Sequence, residues 1–175
     1  MNCIGNKEVF AIEYEVDNDE LGKFELWVYS NPVCRIKNGE KGLTYVGNIN
    51  DIALWLKDNL ENITSEDEFP LPIRACSSID FYKKSGMFDS EDLDVFDRWY
   101  TKRQNWYFRH TWYCIRRGSY LAEIYFRCIE NKIEIEWDNV NLYEGIHFLF
   151  PKGIYYVEKL VFLNVVRGFL NCLGI

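Results

Sequence analysis

The chain has 175 residues and a formal net charge of −7; 48% of its residues are hydrophobic, including the 17% that are aromatic. This length suffices for one ordinary domain, and the apolar content excludes a disordered chain because it can form a dense core. The negative charge argues against general affinity for nucleic acids, since a protein that binds phosphates must supply positive charge.

Membrane insertion and secretion find no support in the sequence. The most apolar stretch, Leu160–Ile175, is interrupted by Asn164, Arg167 and Asn171 and is shorter than the roughly 20 apolar residues of a membrane helix. Met1–Lys7 lacks the basic start and apolar core of a signal peptide. The six cysteines are scattered without a close pair. We therefore expect a cytoplasmic protein with no membrane partner, whose thiols are reduced and mostly buried.

The N-terminal part predicts a β-hairpin. Glu8–Val16 alternates between apolar and polar residues, as a half-buried strand does. Lys23–Tyr29 alternates in the same way, and the polar turn Asp17–Gly22 lets the two strands pair. Val33–Ile36 and Leu43–Val46 are expected to add short strands.

A helix, a loop and a second helix are expected next. Apolar residues at helical spacing predict a helix over Asp51–Asn62, with Asn50 as its cap. Thr64–Pro72 reads as a loop because its prolines prevent a helix from continuing, and Ile73–Tyr82 is ambiguous. The second helix should begin near Ser90, with acidic residues in its first turn, where the helix dipole favours them. Its apolar face would carry Phe96, Trp99, Arg103 and Trp106.

The second half predicts a three-stranded antiparallel meander. Its strands are Arg109–Ile115, Ala122–Cys128 and Ile133–Trp137, joined by turns at Arg116–Ser119 and Glu130–Asn131. After a loop-like stretch from Asp138 to Gly153, the segment Val157–Leu173 predicts a buried closing helix. The expected fold is a single α+β domain over residues 1–175: an antiparallel sheet of meanders packed with about three α-helices.

Catalytic and metal-binding patterns are not found. His110 and His147 are the only histidines, and neither has the neighbours of a zinc site. His110 is best explained as a hydrogen-bonded structural residue. No phosphate-binding loop or nucleophile elbow occurs. Paired carboxylates at alternate strand positions are expected on solvated outer faces: Glu13 with Glu15, and Glu134 with Glu136. We therefore predict a protein that is not an enzyme and that has no cofactor and no metal.

Two acidic runs are candidates for a binding surface. One follows the first predicted helix, and the other begins the second. An exposed anionic patch attracts a basic protein partner and speeds association with it. The residues predicted to bind a partner are Glu66, Asp67, Glu68, Asp89, Glu91, Asp92 and Asp94.

The basic aromatic segment 98–117 follows directly on the second acidic run. Its rings at helical spacing are most simply core residues. The alternative is a small RNA-binding module that uses this segment, because bases stack on aromatic rings beside basic side chains. Such a module requires the arginines and rings to share one exposed face. A hydrolase that uses a Cys/His pair is a further alternative.

The central third of the chain resembles a stretch of bacterial immunity proteins of polymorphic toxin systems, including those of contact-dependent growth inhibition. The stretch is Trp106–Asn139, and within it the resemblance rests on Arg109-His110-Thr111, Gly118, Ile124-Tyr125-Phe126-Arg127 and Ile133-Glu134-Ile135-Glu136-Trp137. The opening Phe10-Ala11-Ile12-Glu13-Tyr14-Glu15 is also similar to the first strand of some such proteins.

The resemblance implies a cytosolic, non-enzymatic inhibitor. Such a protein binds the toxic C-terminal domain of a cognate effector, for example a nuclease with a basic cleft, and neutralises it stoichiometrically. Contact surfaces in these proteins are matched to one toxin each, so no binding residue carries over. His110 and Trp137 match the pattern as fold residues.

Overall fold

A computed structural model describes residues 1–17, 21–38, 42–65, 68–112 and 120–175. These residues form eight strands and four helices. The strands are β1 (Asn2–Asn6), β2 (Phe10–Val16), β3 (Leu21–Val28), β4 (Asn31–Pro32), β5 (Tyr45–Asn48), β6 (Tyr125–Ile129), β7 (Lys132–Asp138) and β8 (Lys152–Glu158). The helices are α1 (Ile49–Ser65), α2 (Ser78–Ser85), α3 (Leu93–His110) and α4 (Lys159–Cys172). The α+β fold with antiparallel sheets is confirmed.

The first sheet contains the predicted hairpin. β2 pairs antiparallel with β3, so that Phe10 lies opposite Val28 and Tyr14 opposite Phe24. The unpredicted strand β1 extends the sheet beyond β2, and β4 and β5 both pair with β3. Of the predicted short strands, Val33–Ile36 is reduced to an isolated bridge between Ile36 and Leu43.

The second sheet has the order β6-β7-β8 and corrects the predicted meander. Arg109 and His110 end α3 instead of starting a strand, and Thr111 forms an isolated bridge to Tyr125. Residues 113–115 of the predicted strand lie outside the described residues. The apolar face of α3 continues to His110, so the helix persists. The predicted turn Arg116–Ser119 lies outside the described residues.

The third strand of this sheet is β8, which the sequence did not reveal. The segment before residue 153 was expected to be a loop, with a helix beginning at Val157. In the structure, Val157 is still paired with Ile133, and α4 starts at Lys159. A short strand that runs without a turn into an apolar helix gives no boundary signal, because Val157 fits both patterns.

The helices follow their periodicity with shifted ends. α1 is longer than predicted and begins at Ile49. The Asn48 side chain, rather than Asn50, accepts a hydrogen bond from the Asp51 backbone N–H at 3.1 Å. The later part of the ambiguous segment Ile73–Tyr82 belongs to α2, whose N-terminal cap is Ser77.

One large core joins both sheets through α1 and α4. Phe162 of α4 packs against Phe10 of the first sheet at a ring-centroid distance of 5.1 Å and against Phe126 of the second at 5.8 Å. Trp112 is fully buried, and its Nε1 donates to the Ala122 carbonyl.

A second, smaller aromatic cluster lies on the opposite face of the β6-β7-β8 sheet. There α2 and α3 cover Tyr125, with Trp106 and Tyr107 of α3 buried and Phe69 and Tyr82 partly buried against them. This cluster is the scaffold on which the candidate sites are built.

The cysteines depart from the expectation of mostly buried thiols. Cys34 and Cys128 are buried, whereas Cys3, Cys76 and Cys172 are exposed, and all five are free. No helix of the described residues is long and apolar enough to cross a membrane.

Candidate protein-binding surface

Four of the predicted partner-binding carboxylates lie together between α2 and the first turn of α3. We call Asp89, Glu91, Asp92 and Asp94 the acidic surface; all four are exposed. Asp97, one turn further along α3, is exposed as well. Residues 89–97 therefore present several negative charges to the solvent and include no basic residue.

Aromatic side chains of α3 fix the loop that carries this surface. Trp99 stacks on Phe88 at a ring-centroid distance of 4.0 Å, and its Nε1 donates to the Ser85 carbonyl at 2.8 Å. The Tyr100 hydroxyl lies 3.0 Å from the Gly86 carbonyl and 3.2 Å from that of Phe88, within hydrogen-bonding distance of both. A loop held in this way loses little conformational freedom when a partner binds.

Part of the acidic character has a structural explanation. α3 begins at Leu93, so Asp92 is its cap rather than a first-turn residue. Asp92 Oδ1 accepts hydrogen bonds from the backbone N–H groups of Asp94 at 2.9 Å and Val95 at 3.1 Å. Carboxylates are favoured at this end of a helix. Asp89 and Glu91 lie before the cap and make no such contact with α3.

Large apolar side chains lie among these acids. Met87 is 83% exposed and Leu93 is 74% exposed, and Val95 is exposed too. Fully burying an apolar side chain of this size gains about 1.5–3 kcal/mol, so the fold forgoes most of that gain at Met87 and Leu93 and part of it at Val95. Exposed apolar groups rimmed by charge are typical of protein interaction surfaces.

Of the three remaining predicted acids, Glu68 is the one within the described residues. Glu66 and Asp67 fall outside the described residues. Glu68 is exposed at the rim of an open groove of about 640 Å³. The neighbouring Phe69 packs on Trp106, which is thirteen residues from Leu93 along α3, about 20 Å at 1.5 Å per residue. The structure thus separates Glu68 from the acidic surface along one helix.

Comparison with family models, with curated proteins and with solved structures finds no match for this chain. Among the described residues, no group of three or more His, Cys, Asp or Glu side chains could hold a metal ion.

The prediction that Glu134 and Glu136 form a solvated face is wrong. Glu134 is fully buried and accepts from the backbone N–H of Ser78 at 2.9 Å and from its hydroxyl at 2.6 Å. Glu136 accepts from the Ile79 N–H and the Ser77 hydroxyl, both at 2.8 Å. Both carboxylates therefore dock the first turn of α2 onto β7, where its free N–H groups need acceptors.

Arg127 completes this arrangement. Its Nε and Nη2 donate to the two oxygens of Glu134 at 3.3 and 3.1 Å, and its guanidinium lies 5.0 Å from the centroid of the Phe81 ring. Burial raises the pKa of Glu136 above its ordinary value, although the donors from Ile79 and Ser77 oppose the shift. Ser78 and Glu134 are both fully buried, and the hydrogen bonds between them attach α2 to β7.

Of the two histidines, His110 takes the place expected of a structural residue. His110 is fully buried, with Nδ1 2.7 Å from the Phe126 carbonyl and its ring stacked on Trp106. His147 is exposed and lines a small pocket of about 210 Å³ with Lys37, Phe148 and apolar neighbours. No cysteine lies among the described residues that line this pocket.

The basic aromatic segment is divided by the structure. Trp106, Tyr107 and Trp112 are buried, and residues 113–117 lie outside the described part. Arg103 faces α2, where it donates to the Tyr82 carbonyl and the Ser85 hydroxyl and covers the Tyr82 ring at 3.6 Å. Within the described residues, these rings do not form the single exposed face that the RNA-binding alternative requires.

Sequence reasoning missed the groove at Glu68. It lies between residues 69–73 and α2, with Arg127 at its base. Arg127 and Glu134 are cross-strand partners on β6 and β7. Opposite charges at paired strand positions can be found in the sequence and indicate an ion pair. The burial of Arg127 and Glu134 could not be predicted, because it depends on α2, which the sequence left ambiguous.

Proposed function

We propose that this protein binds a basic protein toxin domain and neutralises it by stoichiometric association, with the acidic surface in the interface. The observation that carries the proposal is the combination of exposed carboxylates with exposed Met87 and Leu93 on an anchored loop. The carboxylates would steer a cationic partner and exclude anionic ones. The apolar side chains would supply the contact area that holds it.

The net charge of −7 fits this role. An inhibitor that covers a cationic cleft takes the place of the phosphates that such a cleft binds. Interactions between exposed charges are worth about 0.2–1 kcal/mol each, so affinity would come from several pairs together with the apolar contacts. The resemblance to immunity proteins supplies the expected partner class: the toxic C-terminal domain of a secreted effector.

The experiment uses the C-terminal domain of the protein encoded immediately upstream of this chain's gene. Co-expression should relieve growth inhibition by that domain, and the two chains should co-purify in equal amounts. Binding is then measured by calorimetry at several salt concentrations. An upstream protein without toxicity, or a toxic domain that neither binds nor is relieved, contradicts the proposal.

A charge-reversal variant tests the surface itself. Asp89→Lys, Glu91→Lys and Asp94→Lys are combined, and Asp92 is left intact because it caps α3. We expect affinity to fall roughly 10- to 100-fold and its salt dependence to decrease, because three attractive contacts become repulsive.

The matched control reverses three exposed acids outside the acidic surface: Glu8→Lys, Asp17→Lys and Glu144→Lys. Both triple variants change the net charge equally, so the control should retain most of the affinity. Equal losses in the two variants would assign the effect to net charge and reject the acidic surface as the interface.

A further inference from the structure

The groove beside Glu68 is open to the solvent and is lined mainly by apolar residues. Its volume of about 640 Å³ falls within the range of roughly 300–1,000 Å³ that is usual for binding pockets. One wall is the segment 69–73, and the other is α2 with Phe81. Phe69 and Phe81 stack at a ring-centroid distance of 4.9 Å, and Trp106 supports Phe69 from behind at 4.8 Å.

The wall at residues 69–73 is rigid. Pro70 and Pro72 restrict the backbone dihedrals of this stretch. Leu71 is buried, and its carbonyl accepts from the Ile73 N–H at 2.7 Å. Pro70 and Pro72 are exposed and Ile73 is half-buried, so all three are accessible to a ligand. A groove that is already shaped costs little ordering when a ligand enters it.

Arg127 supplies one polar group at the base of the groove. Its Nε and Nη2 are committed to Glu134, and no described residue accepts a hydrogen bond from Nη1. The side chain is about nine-tenths buried, at 9% exposure. Because Arg127 lines the open groove, Nη1 can donate to a ligand oxygen there.

The charge around the groove decides which oxygen it suits. The Arg127 charge is balanced by Glu134, and Glu136 lies on the same strand two residues away. Glu68 adds an exposed carboxylate at the rim. Exposed Arg74 follows the other end of the wall, so the unbalanced negative charge lies at Glu68. Because the Arg127 charge is already balanced, a neutral backbone carbonyl is favoured over a carboxylate or a phosphate, and a cationic side chain is favoured at the Glu68 end of the groove.

We propose that the groove receives an extended segment of the partner in which a large apolar side chain is flanked by lysine or arginine. The apolar side chain packs on Phe69 and Phe81, a backbone carbonyl accepts from Arg127 Nη1, and a flanking cation pairs with Glu68. The identity of this partner as a toxin rests on the proposed function, whereas the groove's preference for such a segment rests on its own lining.

The test is an NMR titration of the isotopically labelled full chain with capped pentapeptides. The probe is Lys-Lys-Trp-Lys-Lys, and its comparisons are Lys-Lys-Gly-Lys-Lys and Glu-Glu-Trp-Glu-Glu. We expect the first to shift the amide signals of residues 68–73 and 81 and the Arg127 Nε–H signal. The glycine peptide should bind about tenfold more weakly, because it lacks the apolar anchor. The acidic peptide should produce no shifts at the groove.

Two variants with matched controls separate binding from loss of structure. Ile73→Lys introduces a charge at the half-buried wall, and Leu160→Lys does so at an exposed apolar residue on α4. Glu68→Lys reverses the rim, and Glu144→Lys reverses an exposed acid elsewhere. Ile73→Lys and Glu68→Lys should weaken the probe about tenfold with an otherwise unchanged spectrum, and the controls should not.

Shifts confined to the acidic surface, equal binding of the acidic peptide, or unchanged affinity in Ile73→Lys would each overturn the groove proposal. The outcomes for the groove and for the proposed function are separable. Probe binding at the groove without toxin binding by the chain rejects the toxin function alone. Toxin binding unaffected by Ile73→Lys and Glu68→Lys rejects the groove alone.

Discussion

Glu25 should make the stability of this protein fall as the pH rises from mildly acidic to mildly basic. The side chain lies on β3 and is fully buried. One oxygen accepts from the Cys34 backbone N–H at 2.8 Å, and the other lies 3.3 Å from Arg35 Nε. Burial nevertheless raises the pKa of Glu25 to about 7, because desolvation of the carboxylate outweighs these donors.

The sign follows from proton linkage. Because the pKa of Glu25 is raised above its ordinary value of 4.5, the folded chain retains a proton that the unfolded chain has released. The resulting stabilisation is fully present below about pH 4.5 and is lost as the pH rises through about 7. The difference of roughly 2.5 pH units corresponds to about 3 kcal/mol in the free energy of unfolding.

Urea denaturation of the wild type and Glu25→Gln from pH 5 to pH 8 measures this effect. Glutamine keeps a neutral acceptor for the Cys34 N–H but does not titrate. The wild type should lose most of about 3 kcal/mol relative to Glu25→Gln over this range. A difference between the two proteins that stays constant with pH would refute the reasoning.

Glu13 provides the matched control because it is the cross-strand partner of Glu25. Partial burial tends to raise the pKa of Glu13, but hydrogen bonds from Lys7 and Trp27 and the Lys7 charge outweigh it and hold this pKa below its ordinary value. Its stabilisation is present above about pH 4.5 and is lost only as the pH falls through the folded-state value. Glu13→Gln should therefore differ from the wild type by a constant amount between pH 5 and pH 8.

Two further substitutions test the scaffold. Glu134→Ala should destabilise the fold by about 3–5 kcal/mol in urea denaturation, because Arg127 is left as an unpaired buried charge; the double variant with Arg127→Met should recover part of this loss, and no recovery would contradict the pairing. Gly5→Ala should lower the melting temperature more than Gly145→Ala. Both glycines have positive φ, at 99° and 71°, but only at Gly5 would a Cβ clash with the backbone, while at Gly145 it meets open space. Equal losses would show that the close approach at β1 is unimportant.

Strand alternation predicted the faces of the strands correctly but not what covers them. In β7, Ile133 and Ile135 point into the main core, and Glu134 and Glu136 lie on the other face, as the pattern indicates. Alternation alone then suggests that the carboxylates are solvated. Their actual partners, Ser77 and Ser78, lie more than fifty residues earlier. The local alternation of residues in a strand cannot predict a contact between segments so far apart in the sequence.

The difference between local pattern and tertiary contact also explains which features of the acidic surface could be predicted. A helix start near Ser90 could be predicted from its acids and from the apolar spacing that follows. The exposure of Met87 and Leu93 could not, because an apolar residue beside a helix start is ordinarily part of its packed face. The groove was also beyond reach, since it forms only where α2 meets residues 69–73 and Arg127.

In the structure, side chains of the basic aromatic segment support the acidic surface. Trp99 and Tyr100 anchor the loop that carries Asp89 and Glu91, and Arg103 clamps the end of α2 from which that loop departs. At its other end, α2 is fixed to β7 by the buried Glu134 and the half-buried Glu136, and it borders the groove through Phe81. Both proposed contact sites therefore depend on the position of α2. A partner that spans about 20 Å would engage both sites together, while Trp99, Tyr100 and Arg103 of α3 hold the surface in place.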